Sequence, residues 1–300
     1  MAVGDVEAVE SCTDIYYVDT GMYDTAEYGA VYIIMADNPA IIDTGIGTHT
    51  DRIITAVEEI GLTLNDIEVI APTHVHLDHA GGAGFLADSC PNATVYVHEI
   101  GAPHLIDPEQ LIKGTKRAVQ DQWKYYTEPK PIPENRITEL SDGHTIDLGN
   151  RSLEFHYASG HAPHQVIFFD TLDNAVFTAD AAGIWVPRLG QVRETTPPPN
   201  FDLEQCLDDV DMIESLDPDV LLYPHFGPAP ETISILEEYK TVLRSWVEDI
   251  KTAKEELGDD TAVVEKFTEQ TAVDSVWGPE KARSETAMNV RGVLQYLQER

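Results

Sequence analysis

The chain is 300 residues long and carries 53 acidic against 19 basic side chains, a formal charge of −34. That length suffices for one large multilayer domain or a domain with an appendage, and the scarcity of Lys and Arg argues against a nucleic-acid partner, because phosphate-backbone affinity comes from those residues. No apolar run approaches the ~18 residues of a membrane span, and Met1 to Glu7 lacks the basic start and apolar stretch of a secretory signal, so a soluble, cytoplasmic protein without a membrane partner is expected.

Acidic residues are spread along the chain with no long like-charge block, the pattern of a solubilising shell. A surplus of this size with few lysines resembles halophilic-type acidic proteins. At ~1 M salt the screening length is only ~3 Å, which damps the self-repulsion. Cys12, Cys90 and Cys206 are far apart, odd in number and outside any CxxC, which fits a reducing compartment rather than a disulfide framework.

In chain order, residues 12–43 read as β structure: Ile15–Val18, Ala30–Met35 and Ala40–Asp43, the last two joined by a turn at Asp37-Asn38-Pro39. A helix follows, with Thr50 or Asp51 as cap, apolar spacing at Ile53, Ile54, Val57 and Ile60, and Gly61 as its stop. The apolar run Ile67 to Ala71 is a buried strand, Gly81 to Asp88 a short helix, and Ala93 to His98 another strand. Residues 99–135 are set off by Pro103, Pro108, Pro129, Pro131 and Pro133 around a helix from Pro108 to Tyr126. This segment is either an insertion lying over the ligand loops as a lid or a surface helix whose Trp123, Tyr125 and Tyr126 pack on the core. Further strands fall at Ile137–Leu140, Thr145–Leu148, Leu153–Tyr157, Gln165–Phe169, Ala175–Thr178 and Val220–Tyr223, with a helix from Leu203 to Leu216. From Pro230 onward the chain is helical and charged: Ile233–Leu257, Ala262–Val273 and Pro279–Gln298. The boundaries expected are 1–228 for the main domain and 229–300 for a helical C-terminal extension, available for covering the core or for a homodimer contact.

The most informative stretch is Thr73-His74-Val75-His76-Leu77-Asp78-His79-Ala80-Gly81-Gly82. Three imidazoles and a carboxylate fall within six residues directly after a strand. In an extended backbone His74 and His76 project to one side, while Asp78 and His79 address a neighbouring position, leaving room for two cations. Imidazole and carboxylate are the ligand types of zinc and other divalent first-row metals. Candidate ligands recur wherever an apolar run stops: Asp43, His74 to His79, His161, Asp180 and His225. Strand tips of a layered α/β core converge on one edge, where sites usually lie.

The set HxHxDH, Ser159-Gly160-His161-Ala162-Pro163-His164, Phe177-Thr178-Ala179-Asp180 and His225-Phe226-Gly227 resembles the metallo-β-lactamase-fold (glyoxalase II-like) metallo-hydrolase superfamily over roughly residues 12–228. The resemblance implies an α/β (α+β) fold, a four-layer αββα sandwich with a dinuclear site at its edge. By that similarity His74, His76 and His161 hold one metal, Asp78, His79 and His225 the second, and Asp180 bridges both; Asp78 and Asp180 are the expected catalytic carboxylates. Asp43 is read as an acceptor that orients a ligating imidazole, and His164 as a supporting or pocket residue. Tyr28, Tyr223, Trp185 and Arg188 are candidate pocket residues, whereas His49, His98, His104, His144 and His156 read as surface or core. The implied cofactors are two divalent ions, zinc first, with iron or manganese as the other choices. Two such ions ~3.5–4 Å apart share a water and lower its pKa towards ~7 from 15.7, so no Ser or Cys nucleophile is needed.

Departures from the pattern narrow the choice. No Cys lies between Phe177 and Asp180, which disfavours the β-lactam-opening class with a metal-binding Cys; His76 stands where di-iron flavoprotein reductases usually carry Glu. Basic residues of the kind glyoxalase II uses for its thiol tripeptide have no clear match, and the pocket Tyr of the lactonases cannot be placed. The expectation is a metal-dependent hydrolase of a small ester, thioester or lactone. A phosphodiesterase or nuclease of the same fold and a mononuclear-iron persulfide dioxygenase are the alternatives.

Overall fold

The computed structural model describes residues 1–229 and 232–300. Pro230, the expected start of the helical tail, lies outside the described residues. The first sheet takes seven strands in chain order: β1 (Val6–Ala8), β2 (Ile15–Asp19), β3 (Ala30–Ile34), β4 (Ala40–Ile42), β5 (Val69–Ala71), β6 (Thr94–His98) and β7 (Ile137–Leu140). It is antiparallel from β1 to β4 and parallel from β4 to β7. The chain then forms β8 (Thr145–Asp147), β9 (Ser152–Tyr157), β10 (Val166–Asp170) and β11 (Ala175–Phe177), a separate hairpin of β12 (Ile184–Val186) and β13 (Gln191–Arg193), and finally β14 (Val220–Tyr223) and β15 (Gly227–Ala229). The second sheet runs β15-β14-β11-β10-β9-β8.

The helices are α1 (Thr50–Glu59), α2 (Leu77–Ala80), α3 (Ala83–Ser89), α4 (Ala102–Ile106), α5 (Glu109–Val119), α6 (Leu203–Ser215), α7 (Thr232–Leu257), α8 (Asp260–Thr268), α9 (Asp274–Trp277) and α10 (Pro279–Gln298). Alternation along the strands sorts their side chains into layers. Tyr32, Ile34 and Ile42 of the first sheet meet Phe155, Phe168 and Phe177 of the second in the central core. Ile33, Ile41 and Ile70 point the other way, onto Ile53 and Val57 of α1 and Leu86 of α3. On the far side, Ile167, Val176 and Leu221 pack against α6, α7 and α10 through Val210, Leu236, Leu243 and Val293. Because both faces of each sheet are covered, the central strands read as continuous apolar runs rather than as alternating ones. The result is a four-layer αββα sandwich with further helices at its C-terminal end.

Several boundaries differ from those read in the sequence. The helix expected at Gly81 begins at Ala83, and a separate helical turn, α2, carries Asp78 and His79. The helix expected from Pro108 to Tyr126 ends at Val119, because Gln120 takes a positive φ of 50°; a 3₁₀ segment, Gln120–Tyr125, completes it. The helix expected over Ala262–Val273 is α8, starting earlier because the Asp259 side chain accepts from Ala262 N at 2.9 Å; α9 is distinct from it. β1, β12 and β13 are three residues each, too short for alternation to show.

Candidate metal centre

The turn after β4 and the turn after β5 are packed backbone against backbone. Thr44 N donates to the His79 carbonyl at 2.6 Å and Gly82 N to that of Gly45 at 3.1 Å. A Cβ on Gly82 would overlap the Thr44 carbonyl and one on Gly81 the backbone of Ile46, so the paired glycines are what let the two turns touch. That approach brings Asp43, whose own φ is +61°, to the base of the histidine cluster. Its Oδ1 accepts from Thr73 N at 2.8 Å, and its Oδ2 lies 3.1 Å from His79 Nδ1. The two remaining loops are also pinned. Gly160 N donates to Asp209 Oδ2 of α6 at 2.7 Å beside His161, and Asp180 N to Gln165 Oε1 at 3.2 Å.

The outward ring nitrogens settle where the inward lone pairs point. His225 Nδ1 donates to the Tyr28 carbonyl at 2.8 Å, His161 Nδ1 to that of Thr195 at 3.4 Å, and His79 Nδ1 to Asp43. His74 Nδ1 donates to Thr73 Oγ1 at 3.2 Å, whose own hydrogen goes to Asp43 at 2.9 Å. In each of the four rings these contacts favour the proton on Nδ1 and leave Nε2 as the nitrogen aimed inward. Nε2 of His74 and Nε2 of His161 each lie 3.0 Å from Nδ1 of His76, and no single proton can serve all three. On the other side, His225 Nε2 is 3.8 Å from Asp78 Oδ2 and 3.7 Å from Asp180 Oδ1, which is 3.5 Å from His79 Nε2. Asp180 Oδ2 is 3.3 Å from His161 Nε2, so this carboxylate faces both groups.

His79 Nε2 and Asp180 Oδ1 are buried and have no hydrogen-bond partner. Orphaned buried polar atoms are costly, and here they meet in one small volume. Three sets of donors are mutually close enough to hold a metal ion: His74, His76 and His161; His74, His79 and Asp180; and Asp78, His79 and His225. The residues therefore fit one or two divalent ions. Burial, then His161, depresses His76 to about 3, and burial depresses His74 and His161 also, so these rings stay neutral and available as ligands. Burial works against charge on His79 as well, but Asp180, Asp43 and Asp78 outweigh it and raise its pKa well above the usual value. The potential that would hold a proton there favours a cation. Asp180 is buried and Asp78 half-buried, yet the imidazoles around them, His79 first, keep both below the usual carboxylate range.

All nine site residues read in the sequence lie at this edge. Seven of them form the donor sets, Asp43 stands behind His79, and His164 lies beside the cluster, its Nδ1 accepting from Val75 N at 3.4 Å and its ring stacked 6.0 Å from that of His74. A cavity of about 600 Å³ opens over them. Of the candidate pocket residues only Tyr28 lines it; Tyr223 is sealed in the core, Trp185 packs on that core, and Arg188 pairs with Glu27. His104, expected at the surface or in the core, borders the cavity 6.3 Å from His164. Tyr126, named only as an aromatic of the 99–135 segment, also lines the cavity, and nothing in the sequence placed Tyr23, Lys281 and Glu285 there. Tyr23 and Tyr126 share a hydroxyl–hydroxyl hydrogen bond, and burial raises both phenols, keeping them protonated. Lys281 Nζ lies 2.6 Å from Glu285 Oε2 and 3.1 Å from Gln122 Oε1, over the rings of Tyr23 and Tyr28. Helix α5 walls the cavity with Leu111, Gly114 and Thr115, while Tyr125 and Tyr126 pack beside Trp277.

Residues 24–225 match the family model of the Metallo-beta-lactamase superfamily. A metallo-beta-lactamase fold-containing protein of Sulfurisphaera tokodaii is 24% identical over 72% of this chain and 79% of its own length. A probable metallo-hydrolase of Bacillus subtilis is 22% identical over 65% of this chain and 78% of its own. Among solved structures, an archaeal metallo-beta-lactamase superfamily protein from Sulfolobus tokodaii superposes with a TM-score of 0.71 at 21% identity, covering 95% of this chain and 99% of that one. A metallo-beta-lactamase family protein from Thermus thermophilus gives 0.64 at 20% identity, over 90% and 88%.

Proposed function

The chain belongs to the metallo-β-lactamase superfamily, and from that premise we propose that it is a metal-dependent hydrolase of a small ester, thioester or lactone. The single observation that carries this reading is the convergence of bare imidazole nitrogens and carboxylate oxygens, two of them orphaned and buried, at the floor of one cavity. His74, His76 and His161 would hold one ion, Asp78, His79 and His225 the other, and Asp180 both, with zinc the first choice for this nitrogen-rich set. Bound there, such ions would supply an activated water and a Lewis acid for the acyl carbonyl. A relative named as a probable metallo-hydrolase supports the same class.

The chain's own contribution is placement. Asp43 fixes His79 directly and His74 through the Thr73 hydroxyl, so one buried carboxylate orients a ring in each donor group. Gln165 and Thr195 bind Asp180 from two sides, at 3.2 and 3.4 Å. The protonated phenols of Tyr23 and Tyr126 border the cavity as neutral donors.

Elemental analysis of the purified chain, followed by ester, thioester, lactone and phosphodiester reporters, tests the proposal. Two zinc equivalents and hydrolysis of an acyl reporter are expected. A single iron with oxygen consumed alongside a persulfide would replace it with the dioxygenase reading, and turnover of the phosphodiester alone with the nuclease reading.

A further inference from the structure

In a chain this acidic, a cation without a carboxylate beside it is uncommon. Every lysine of the described residues is in an ion pair. Arg151, Arg188, Arg193 and Arg300 are paired as well, and Arg52 and Arg136 are bound to backbone carbonyls. Among the described residues only Arg117, Arg244, Arg283 and Arg291 have no hydrogen-bonding or ionic partner. Arg244 and Arg283 are exposed helix positions away from the cavity, but Arg117 of α5 and Arg291 of α10 both line it. They reach it from helices more than 150 residues apart in sequence that pack on each other.

The charges lining this cavity match in number, three carboxylates against Lys281, Arg117 and Arg291, but they are not all paired with one another. Its carboxylates are Asp78, Asp180 and Glu285. Two of these belong to the donor sets at the floor and the third is taken by Lys281. Arg291 also borders a shallow hollow containing Asp260 and Glu299, but Asp260 is held by Lys254 and Glu299 by Gln295. Two guanidinium groups, the half-buried Arg291 and the exposed Arg117, are thus left unpaired on the wall, above a floor suited to dications. A guanidinium presents five N–H donors in a planar fork that matches an oxyanion with two hydrogen bonds, and the half-buried Arg291, without a protein acceptor, leaves that capacity unused.

We propose that Arg117 and Arg291 form the anion-recognition end of the cavity, and that the substrate is an acyl compound carrying an oxyanionic group, a carboxylate or a phosphate, on the side remote from the bond that is cleaved. The proposal rests on the hydrolase reading for the words "acyl" and "cleaved", and on the cavity alone for the anion. Because the contact is a direct hydrogen-bonded fork rather than a diffuse field, it survives salt that screens longer-range attraction.

The test uses the metal-loaded full chain with three matched reporters: mono-4-nitrophenyl glutarate, its neutral methyl ester, and the corresponding 4-nitrophenyl phosphonobutyrate. The expected result is a kcat/KM for the anionic reporters above that for the neutral one. The ratio should collapse by ~30–100-fold in R117Q/R291Q, mainly through KM, since charged hydrogen bonds carry effects of that order. R244Q and R283Q, which remove the same charge elsewhere, should leave the ratio as it is. Preference for glutarate over phosphonate, or the reverse, distinguishes the two oxyanions. Equal turnover of charged and neutral reporters, or an equal change in the control variants, overturns the proposal. If no reporter turns over, the hydrolase reading falls and the anion site is judged by calorimetric binding of glutarate. At least ~10-fold weaker binding in R117Q/R291Q supports it, and unchanged binding overturns it.

Discussion

The floor of the cavity and its outer wall solve opposite problems. On the floor, buried polar atoms are left facing one another with nothing between them: His79 Nε2 and Asp180 Oδ1 have no partner, and three ring nitrogens meet at 3.0 Å. On the wall, buried polar atoms close on themselves. Lys281 is bound by Glu285 and Gln122, and Asn289 accepts from Thr196 N at 2.6 Å while its carbonyl accepts from Thr196 Oγ1 at 3.0 Å. The floor is therefore built to gain stability when cations arrive, whereas the Lys281–Glu285 part of the wall keeps its shape whether or not charge arrives and leaves only Arg117 and Arg291 open.

The comparison breaks most visibly at Asp180. Asp180→Asn weakens the one side chain facing both donor groups, and it is expected to lower bound metal and abolish hydrolysis; full metal content by elemental analysis would refute that role. Next in size is Lys281→Met, which strands Glu285 as a buried, unpaired charge. A loss of about 3–5 kcal/mol is expected in chemical unfolding, with most of it regained in Lys281→Met/Glu285→Leu, where both charges are gone. Failure of the double variant to recover would mean that the wall depends on Lys281 for more than charge balance. The smallest effect belongs beneath the floor. Burial pushes Asp209 up to about 6, so its ionised form is disfavoured in the fold. Its contribution to stability is greatest below pH ~4 and is lost as pH rises to about 6, by at most about 3 kcal/mol. In melts across that window Asp209→Asn should gain on the wild type as pH rises; parallel curves would remove this role from Asp209.

Legibility followed the same division. The floor could be read because each donor sits where a strand ends, and because HxHxDHAGG spells out both the ligands and the glycines that let the turn after β4 lie against the turn after β5. The αββα layering was legible for a related reason, since strands covered on both faces are apolar throughout. The wall was not. Nothing near Lys281 in the sequence says that it will lie over Tyr23 and Tyr28, because that contact exists only once α10 has packed across the loop after β13. His104 was passed over for the same reason: a lone histidine in a proline-rich segment carries no spacing signal, and its neighbour in the cavity, His164, is 60 residues away.

Helix α10 lies so close to the Thr196 carbonyl that any side chain at Gly292 would collide with it. This seating bears on how the molecule is made. Translation delivers the residues from Asp43 to His225 well before position 281 exists. For that interval the cavity over the histidine cluster lacks the wall that Lys281, Glu285 and Arg291 supply. Helix α10 arrives later as one wall of the cavity, so in the order of synthesis the donors precede the wall that stands beside them.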